Sequence, residues 1–173
     1  KNKPKCFLDI NGKSIFSFQY ENLKKYNLHK NLLIISNDKH VSHFRKFFKK
    51  NKFKTKIISE KYGLGSGGSL KKNLKNLENK FILIYLDIFF SKINFKKFLN
   101  TNKNQNKIFS HISTHRGDSD LIDVNKNNQI IKIYNKNNNK NSLSRTSISG
   151  IFFINKSLFH KIKIKKFDLT KLI

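Results

Sequence analysis

The stretch Gly63-Leu64-Gly65-Ser66-Gly67-Gly68-Ser69 carries the strongest chemical signal in this sequence. Four glycines between an apolar, strand-like run and a helical pattern leave backbone N–H groups open to a phosphate or a nucleotide. The N-terminus of the following helix adds a favourable dipole. A turn that ends on Ser69 as a helix cap is the plainer reading, but it needs fewer glycines. Taken literally, Gly63, Gly65 and Gly68 also satisfy G-x-G-x-x-G, and Asp87 follows about 20 residues later, as in a dinucleotide-binding unit for NAD(P). At least two helix–strand units precede this loop, whereas that fingerprint usually occupies the first. No Lys follows the last glycine, so a Walker-type phosphate loop is excluded.

Asp87 stands at the end of the most apolar run, where open α/β sheets place their ligands. A carboxylate there can hold Mg²⁺ against triphosphate oxygens, or simply cap a turn. His40 and His43 lie one helical turn apart, and His111 and His115 sit near one strand end. Without a supporting Cys or Glu motif, neither pair reads as a zinc site.

These residues need a scaffold, and the apolar periodicity supplies one. Helical spacing covers residues 14–26 and 41–50, and short apolar runs at 32–36, 55–59 and 81–86 read as buried strands. A helix is expected over 69–77, directly after the glycines. That alternation predicts an α/β fold, a Rossmann-like three-layer sandwich with a mostly parallel central sheet. Beyond residue 107 the pattern becomes strand-rich, with runs at 108–113, 121–124, 130–134 and 148–154 and a hairpin turn at 125–128. Residues 135–144 form a polar connection rich in Asn and Lys. No internal repeat or domain linker interrupts the chain, which predicts one domain over residues 1–173.

Composition narrows the function classes. The chain has 173 residues and a formal charge of +27, from 37 Lys and Arg against 10 Asp and Glu. Such a charge usually marks a polyanion partner. Here the lysines are scattered, and arginine, the preferred reader of phosphate and guanine, occurs only at Arg45, Arg116 and Arg145. The absence of Ala and the abundance of Lys, Asn, Ile and Phe fit an AT-biased genome, so nucleic-acid binding is not expected. Cys6 is the single cysteine, which forbids an internal disulfide and points to a reducing, cytoplasmic setting. No apolar run approaches the ~20 residues of a membrane span. The chain contains no Met, from which a start upstream of Lys1 is expected.

Four ordered segments resemble the sugar-1-phosphate nucleotidyltransferases. Pro4-Lys5-Cys6-Phe7-Leu8-Asp9-Ile10-Asn11-Gly12-Lys13 is similar to P-K-x-L-x-x-I-x-G-K. Residues 64–70 are similar to L-G-T-G-G-A-L, and Ile84-Tyr85-Leu86-Asp87 to the strand that ends in G-D. Residues 111–121, the fourth, resemble the H-x3-H-x2-D-S-D-L stretch of heptose-1-phosphate guanylyltransferase types. Beyond these four, Ser149-Gly150-Ile151-Phe152 falls on N-A-G-I-Y.

The resemblance implies transfer of a nucleoside monophosphate from a triphosphate, GTP by the heptose-type motif, to a sugar 1-phosphate. It assigns Lys5 to the phosphates, Asp87 to the catalytic Mg²⁺, and Leu64, Gly65, Ser66, Gly67 and Gly68 to the nucleotide. Lys136, Ser149, Gly150, His115, Asp118 and Asp120 fall to the sugar phosphate. Leu86 replaces the usual Gly before the metal Asp, and Asn135 and Asn137 replace the Glu and Pro beside Lys136. The opening G-G-x-G-T-R-L and the later D-I-G-T-P-like segment are absent, which suggests a chain truncated at both ends or an inactive paralogue.

Overall fold

Phenylalanine takes over the packing that Ala, Met and Trp would share elsewhere. In α1 (Ile15–Lys25), Phe16, Tyr20 and Leu23 recur at helical intervals and are buried. Ser14 caps the helix by accepting from the Ser17 N–H at 3.2 Å. In α2 (Asp38–Lys50), Val41, Phe44 and Phe48 form the buried stripe and Asn37 is the cap. The two stripes meet edge to face, with the Phe16 and Phe44 rings 5.2 Å apart at 89°, the geometry that aromatic quadrupoles favour. Phe7 joins them at 4.9 Å from Phe44, which ties the N-terminal segment to this cluster.

A computed structural model describes residues 3–61, 63–90, 92–100, 106–112, 120–134, 146–163 and 166–172. His115, Asp118 and Lys136 lie outside the described residues, as does the polar connection at 135–144. No described helix is long and apolar enough to cross a membrane.

The chain opens with a 3-10 turn at Lys5–Phe7 and a tight hairpin of β1 (Asp9–Ile10) and β2 (Lys13–Ser14). Asn11 and Gly12 both have positive φ, at 52° and 81°, as a two-residue hairpin requires. After α1, β3 (Leu33–Asn37) and β4 (Lys56–Glu60) pair in parallel from Leu33↔Lys56 to Asn37↔Glu60, with α2 as the crossover. The glycine-rich segment and α3 (Gly65–Lys72) follow, then β5 (Lys80–Ile84) and α4 (Lys92–Leu99).

The strand-rich remainder is built around β9 (Thr146–Asn155). It runs antiparallel to β5, to β6 (Lys107–Ile112) and to β7 (Leu121–Val124), and β7 continues into β8 (Ile130–Tyr134) through a hairpin. The Asn125 side chain builds that turn by accepting from the Asn127 and Gln129 N–H groups, both at 2.9 Å.

Alternation along β5 and β9 creates the three layers. Ile82, Ile84, Ile151 and Phe153 pack on one side with Leu23 of α1 and Phe95 and Phe98 of α4. Phe81, Leu83, Phe152 and Ile154 pack on the other with Leu70 of α3, Phe159, Phe167 and Leu169.

Three boundaries differ from the sequence expectation. The helix after β4 starts at Gly65 rather than Ser69, and its last expected turn is a 3-10 turn, Leu74–Asn76. Glycine is a poor helix former, but the Phe167 carbonyl accepts from both the Gly67 and Gly68 N–H groups at 3.1 Å. Those donors have no intrahelical partner at a helix start, so the external acceptor lets the helix begin early. The apolar run at 81–86 ends as a strand at Ile84, and residues 86–87 form a turn. Finally, α4 occupies a segment for which no element is expected from the sequence, although Phe95, Phe98 and Leu99 have helical spacing.

Candidate active site

Three strand ends converge. Ser36 and Asn37 finish β3, Glu60 finishes β4, and Tyr85, Leu86 and Asp87 follow β5. With Gly63, Leu64, Gly65, Ser66, Ser69 and Leu70 they line a cavity of about 410 Å³. The position, beyond the carboxyl ends of the strands, is the one in which α/β sheets bind ligands.

Of the glycine-rich segment, Leu64, Gly65 and Ser66 line the cavity, whereas Gly67 and Gly68 do not. The latter are buried against the segment at 166–172. A Cβ on Gly67 would stand 2.1 Å from Cε2 of Phe167, and one on Gly65, whose φ is +72°, would stand 2.5 Å from the Phe167 carbonyl oxygen. The Phe167 N–H donates back to the Leu64 carbonyl at 2.9 Å. At 65 and 67, glycine is therefore required by the protein's own packing, and the amides of 67 and 68 are committed to Phe167 rather than open to a phosphate. The cavity-facing part of the predicted nucleotide loop is 64–66.

Ser66 and Tyr85 form the polar floor. The Tyr85 hydroxyl donates to Ser66 Oγ at 3.1 Å, and Ser66 Oγ also accepts from the Leu169 N–H at 2.9 Å. Burial pushes the Tyr85 phenol up. The Ser66 hydrogen bond pulls it down, and the carboxylates of Asp168, Asp120 and Asp87 push it further up. The phenol thus stays protonated, a hydrogen-bond donor at neutral pH. Glu60, a second polar wall, is buried; it accepts from the Ser69 hydroxyl at 2.5 Å and from the Asn73 amide at 3.4 Å. Nothing local in the sequence separates Glu60 from the charged residues around it, whereas Tyr85 is conspicuous as the one phenol in an aliphatic run.

Asp87 is exposed at the rim, and no hydrogen bond or ion pair among the described residues occupies its carboxylate. Lys5 is exposed on the neighbouring turn and does not line the cavity. The two are nevertheless brought to one side of the molecule, since Leu86 packs into the same cluster as Cys6 and Phe7. The electrostatics agree. Burial, with the Asp87 charge adding to it, pushes the Cys6 thiol up to about 12.

One consequence is chemical: folded Cys6 should resist alkylation by iodoacetamide at pH 8 and react fully once urea unfolds the chain. The same shift favours the folded state below the thiol's usual pKa. Stability should fall as pH rises from about 9 towards 12, a loss that urea titrations across that range would read.

Ser149 and Gly150 lie on β9 at a bulge, where Phe109 pairs with Ile151 but Ser110 pairs with Ile148. Gly150 has φ +72°, and a Cβ there would meet the Tyr85 ring at 2.9 Å, so only glycine suits both the bulge and the contact. Its carbonyl accepts from the Tyr85 N–H at 2.9 Å, and the Asp120 carbonyl accepts from the Ile148 N–H at 3.1 Å. None of these three residues lines the cavity, and Gly150 stands directly against Tyr85.

A Mg²⁺ ion suits the donor set at Asp87. Magnesium takes one or two carboxylates and completes its shell with water and substrate phosphates, and a single uncommitted carboxylate at a cavity rim provides that. No group of three or more His, Cys, Asp or Glu among the described residues forms a metal cage.

Comparison with known proteins identifies the family. A family model described as nucleotidyl transferase matches residues 1–171. The chain is 27% identical, over 96% of its length and 73% of the relative's, to D-glycero-alpha-D-manno-heptose 1-phosphate guanylyltransferase of Campylobacter jejuni. Among solved structures, the inositol-1-phosphate CTP transferase of T. maritima superposes with a TM-score of 0.79 at 17% identity, over 98% of this chain and 70% of that one. HddC of Yersinia pseudotuberculosis, complexed with GMP-PN, gives 0.75 at 22% identity, over 95% and 73%. With the family model spanning nearly every residue, the chain belongs to the nucleotidyl transferase family.

Proposed function

We propose that the protein transfers guanosine monophosphate from GTP to a heptose 1-phosphate and releases pyrophosphate. The observation that carries this reading is the cavity itself, bounded by the Leu64–Ser66 backbone on one side and the free Asp87 carboxylate on the other. The choice of guanine and heptose is supported by the Campylobacter jejuni relative and by the His111–Leu121 motif in the sequence.

In the transfer, a sugar-phosphate oxygen bonds to the α-phosphorus while the bond to the bridging oxygen of the pyrophosphate breaks. Positioning and charge neutralisation supply most of the catalysis. Leu64, Gly65 and Ser66 receive the nucleoside, with Tyr85 fixing the floor through its Ser66 bond. Lys5, on the neighbouring turn outside the cavity lining, is assigned to neutralise phosphate charge. Asp87 would hold a Mg²⁺ ion, which would supply positive charge against the triphosphate oxygens. Lys136, His115 and Asp118 are assigned to the sugar phosphate, with Asp120, Ser149 and Gly150 shaping the wall behind Tyr85. A dinucleotide site fits less well, because the Gly67 and Gly68 amides that would grip its pyrophosphate are donated to Phe167.

A pyrophosphate-release assay tests the reading. GTP with a heptose 1-phosphate should turn over about tenfold faster or more than CTP or dTTP with the same sugar, and no release should occur without the sugar phosphate. Tight GTP binding without turnover would indicate an inactive paralogue. Tighter binding of NAD(P) than of GTP would discard the reading altogether.

A further inference from the structure

Backbone carbonyls that leave a sheet beneath a helix need new donors, because water does not reach them. After Ile84 the chain turns through residues 86–87 and runs under α1. The carbonyls of Tyr85 and Ile88 share one donor there. The Gln19 side-chain amide gives a hydrogen bond to Tyr85 O at 2.9 Å and another to Ile88 O at 2.7 Å. Both partners are carbonyl oxygens, which fixes the orientation of the amide, and the two hydrogens on its nitrogen match the two acceptors. One turn along the same helix face, Asn22 donates to Phe90 O at 3.2 Å. Gln19 is 3% exposed and Asn22 5%.

Both polar residues interrupt a stripe that is otherwise Phe16, Tyr20 and Leu23. Helix-to-strand contact alone would be served by Leu or Met, without the desolvation that a buried amide suffers. The residues enclosed between the two carbonyls are Leu86 and Asp87. Helix α1 is also anchored to the Lys5 turn, since Phe16 and Tyr20 share a cluster with Cys6 and Phe7. One helix therefore sets the Lys5 turn and the Asp87 turn relative to each other.

We propose that Gln19 is a positioning residue for the Asp87 carboxylate. By clamping the carbonyls on either side, it holds Asp87 where a metal–triphosphate complex meets the cavity rim. The inference rests on Asp87 being the metal carboxylate of the function proposed above.

Gln19→Leu keeps the volume and removes both donors, and Gln19→Glu keeps the length but turns a carboxylate towards two carbonyls. Both are measured in the whole chain by two readouts that need no turnover. Amide hydrogen exchange over residues 85–90 should rise about tenfold or more while exchange in α2 and β4 stays as in the wild type. Affinity for Mn²⁺·GTP, followed by Mn²⁺ electron paramagnetic resonance, should fall about tenfold or more, with GTP binding in the absence of metal unchanged. Should Gln19→Leu not fold, Gln19→Glu carries the same two measurements.

Unchanged exchange at 85–90 overturns the proposal. So does raised exchange with unaltered Mn²⁺·GTP affinity. If the wild type binds Mn²⁺·GTP well and Asp87→Asn weakens it while Gln19→Leu does not, the proposal alone falls. If Mn²⁺ does not improve GTP binding in the wild type and Asp87→Asn has no effect, the function reading falls and takes the role of Gln19 with it.

Discussion

Asp87→Asn should abolish measurable pyrophosphate release while leaving the fold intact. The side chain is exposed and unpaired among the described residues, so its removal should change stability by no more than about 0.5 kcal/mol. Turnover is different. A metal ion held against transferring phosphates stabilises developing charge by several kcal/mol, and each ~1.4 kcal/mol is a factor of ten in rate. The expected loss is roughly two to three orders of magnitude. Urea melts and a pyrophosphate assay on the same preparation separate the two effects. Saturating Mg²⁺ should not restore the rate, because the amide replacing the carboxylate carries no charge to hold the ion. A variant that turns over within about threefold of wild type would remove Asp87 from the mechanism.

Gly67→Ala should destabilise the protein, by about 1–3 kcal/mol, against the usual helix preference. Inside an ordinary helix this change is favourable by roughly 0.8–1 kcal/mol. Here the added methyl falls 2.1 Å from the Phe167 ring, and that ring is buried with Leu70, Phe152 and Leu169, so it has little room to retreat. The decisive experiment is a double-mutant cycle read by urea denaturation. In a Phe167→Ala background the clash is gone, and Gly67→Ala should become neutral or stabilising. That reversal of sign is specific to the contact. Destabilisation of equal size in both backgrounds would show that Phe167 is not what demands glycine at this position.

The two variants also mark what the sequence could and could not reveal. The place of Asp87 at the cavity rim was legible because it terminates an apolar run, and period alone placed α1, α2, β3 and β4 within a few residues. The demand for glycine at 65 and 67 was not legible. It arises from a partner 100 positions or so away, as the Ser66–Leu169 bond separated by 103 positions illustrates, and no local pattern announces such a contact. Four glycines exceed what a turn needs and so pointed to ligand chemistry, when Gly65 and Gly67 answer to Phe167. β5 stops short of its apolar run for a related reason: the Tyr85 carbonyl is taken by Gln19, a tertiary bond that overrides strand propensity. Gln19 and Asn22 themselves left a trace, as polar residues inside a buried helical stripe. The stripe does not say what they bond. Lys5 became a candidate through resemblance, since an exposed lysine among so many carries no signal of its own.

β9 has a consequence for how the molecule is made. It is the strand to which β5, β6 and β7 all bond, and it follows every one of them in the chain. During synthesis β5 leaves the ribosome with its apolar Phe81–Ile84 edge unpaired, and its partner arrives more than 60 residues later, on the order of several seconds at ribosomal speed. The clamp from Phe167 onto the glycine helix comes later still. The sheet and the clamp on the glycine helix are thus completed only once residues 146–169 have emerged, after a long interval in which an exposed strand invites association with other chains. Docking of β9, which pairs that edge, closes this interval.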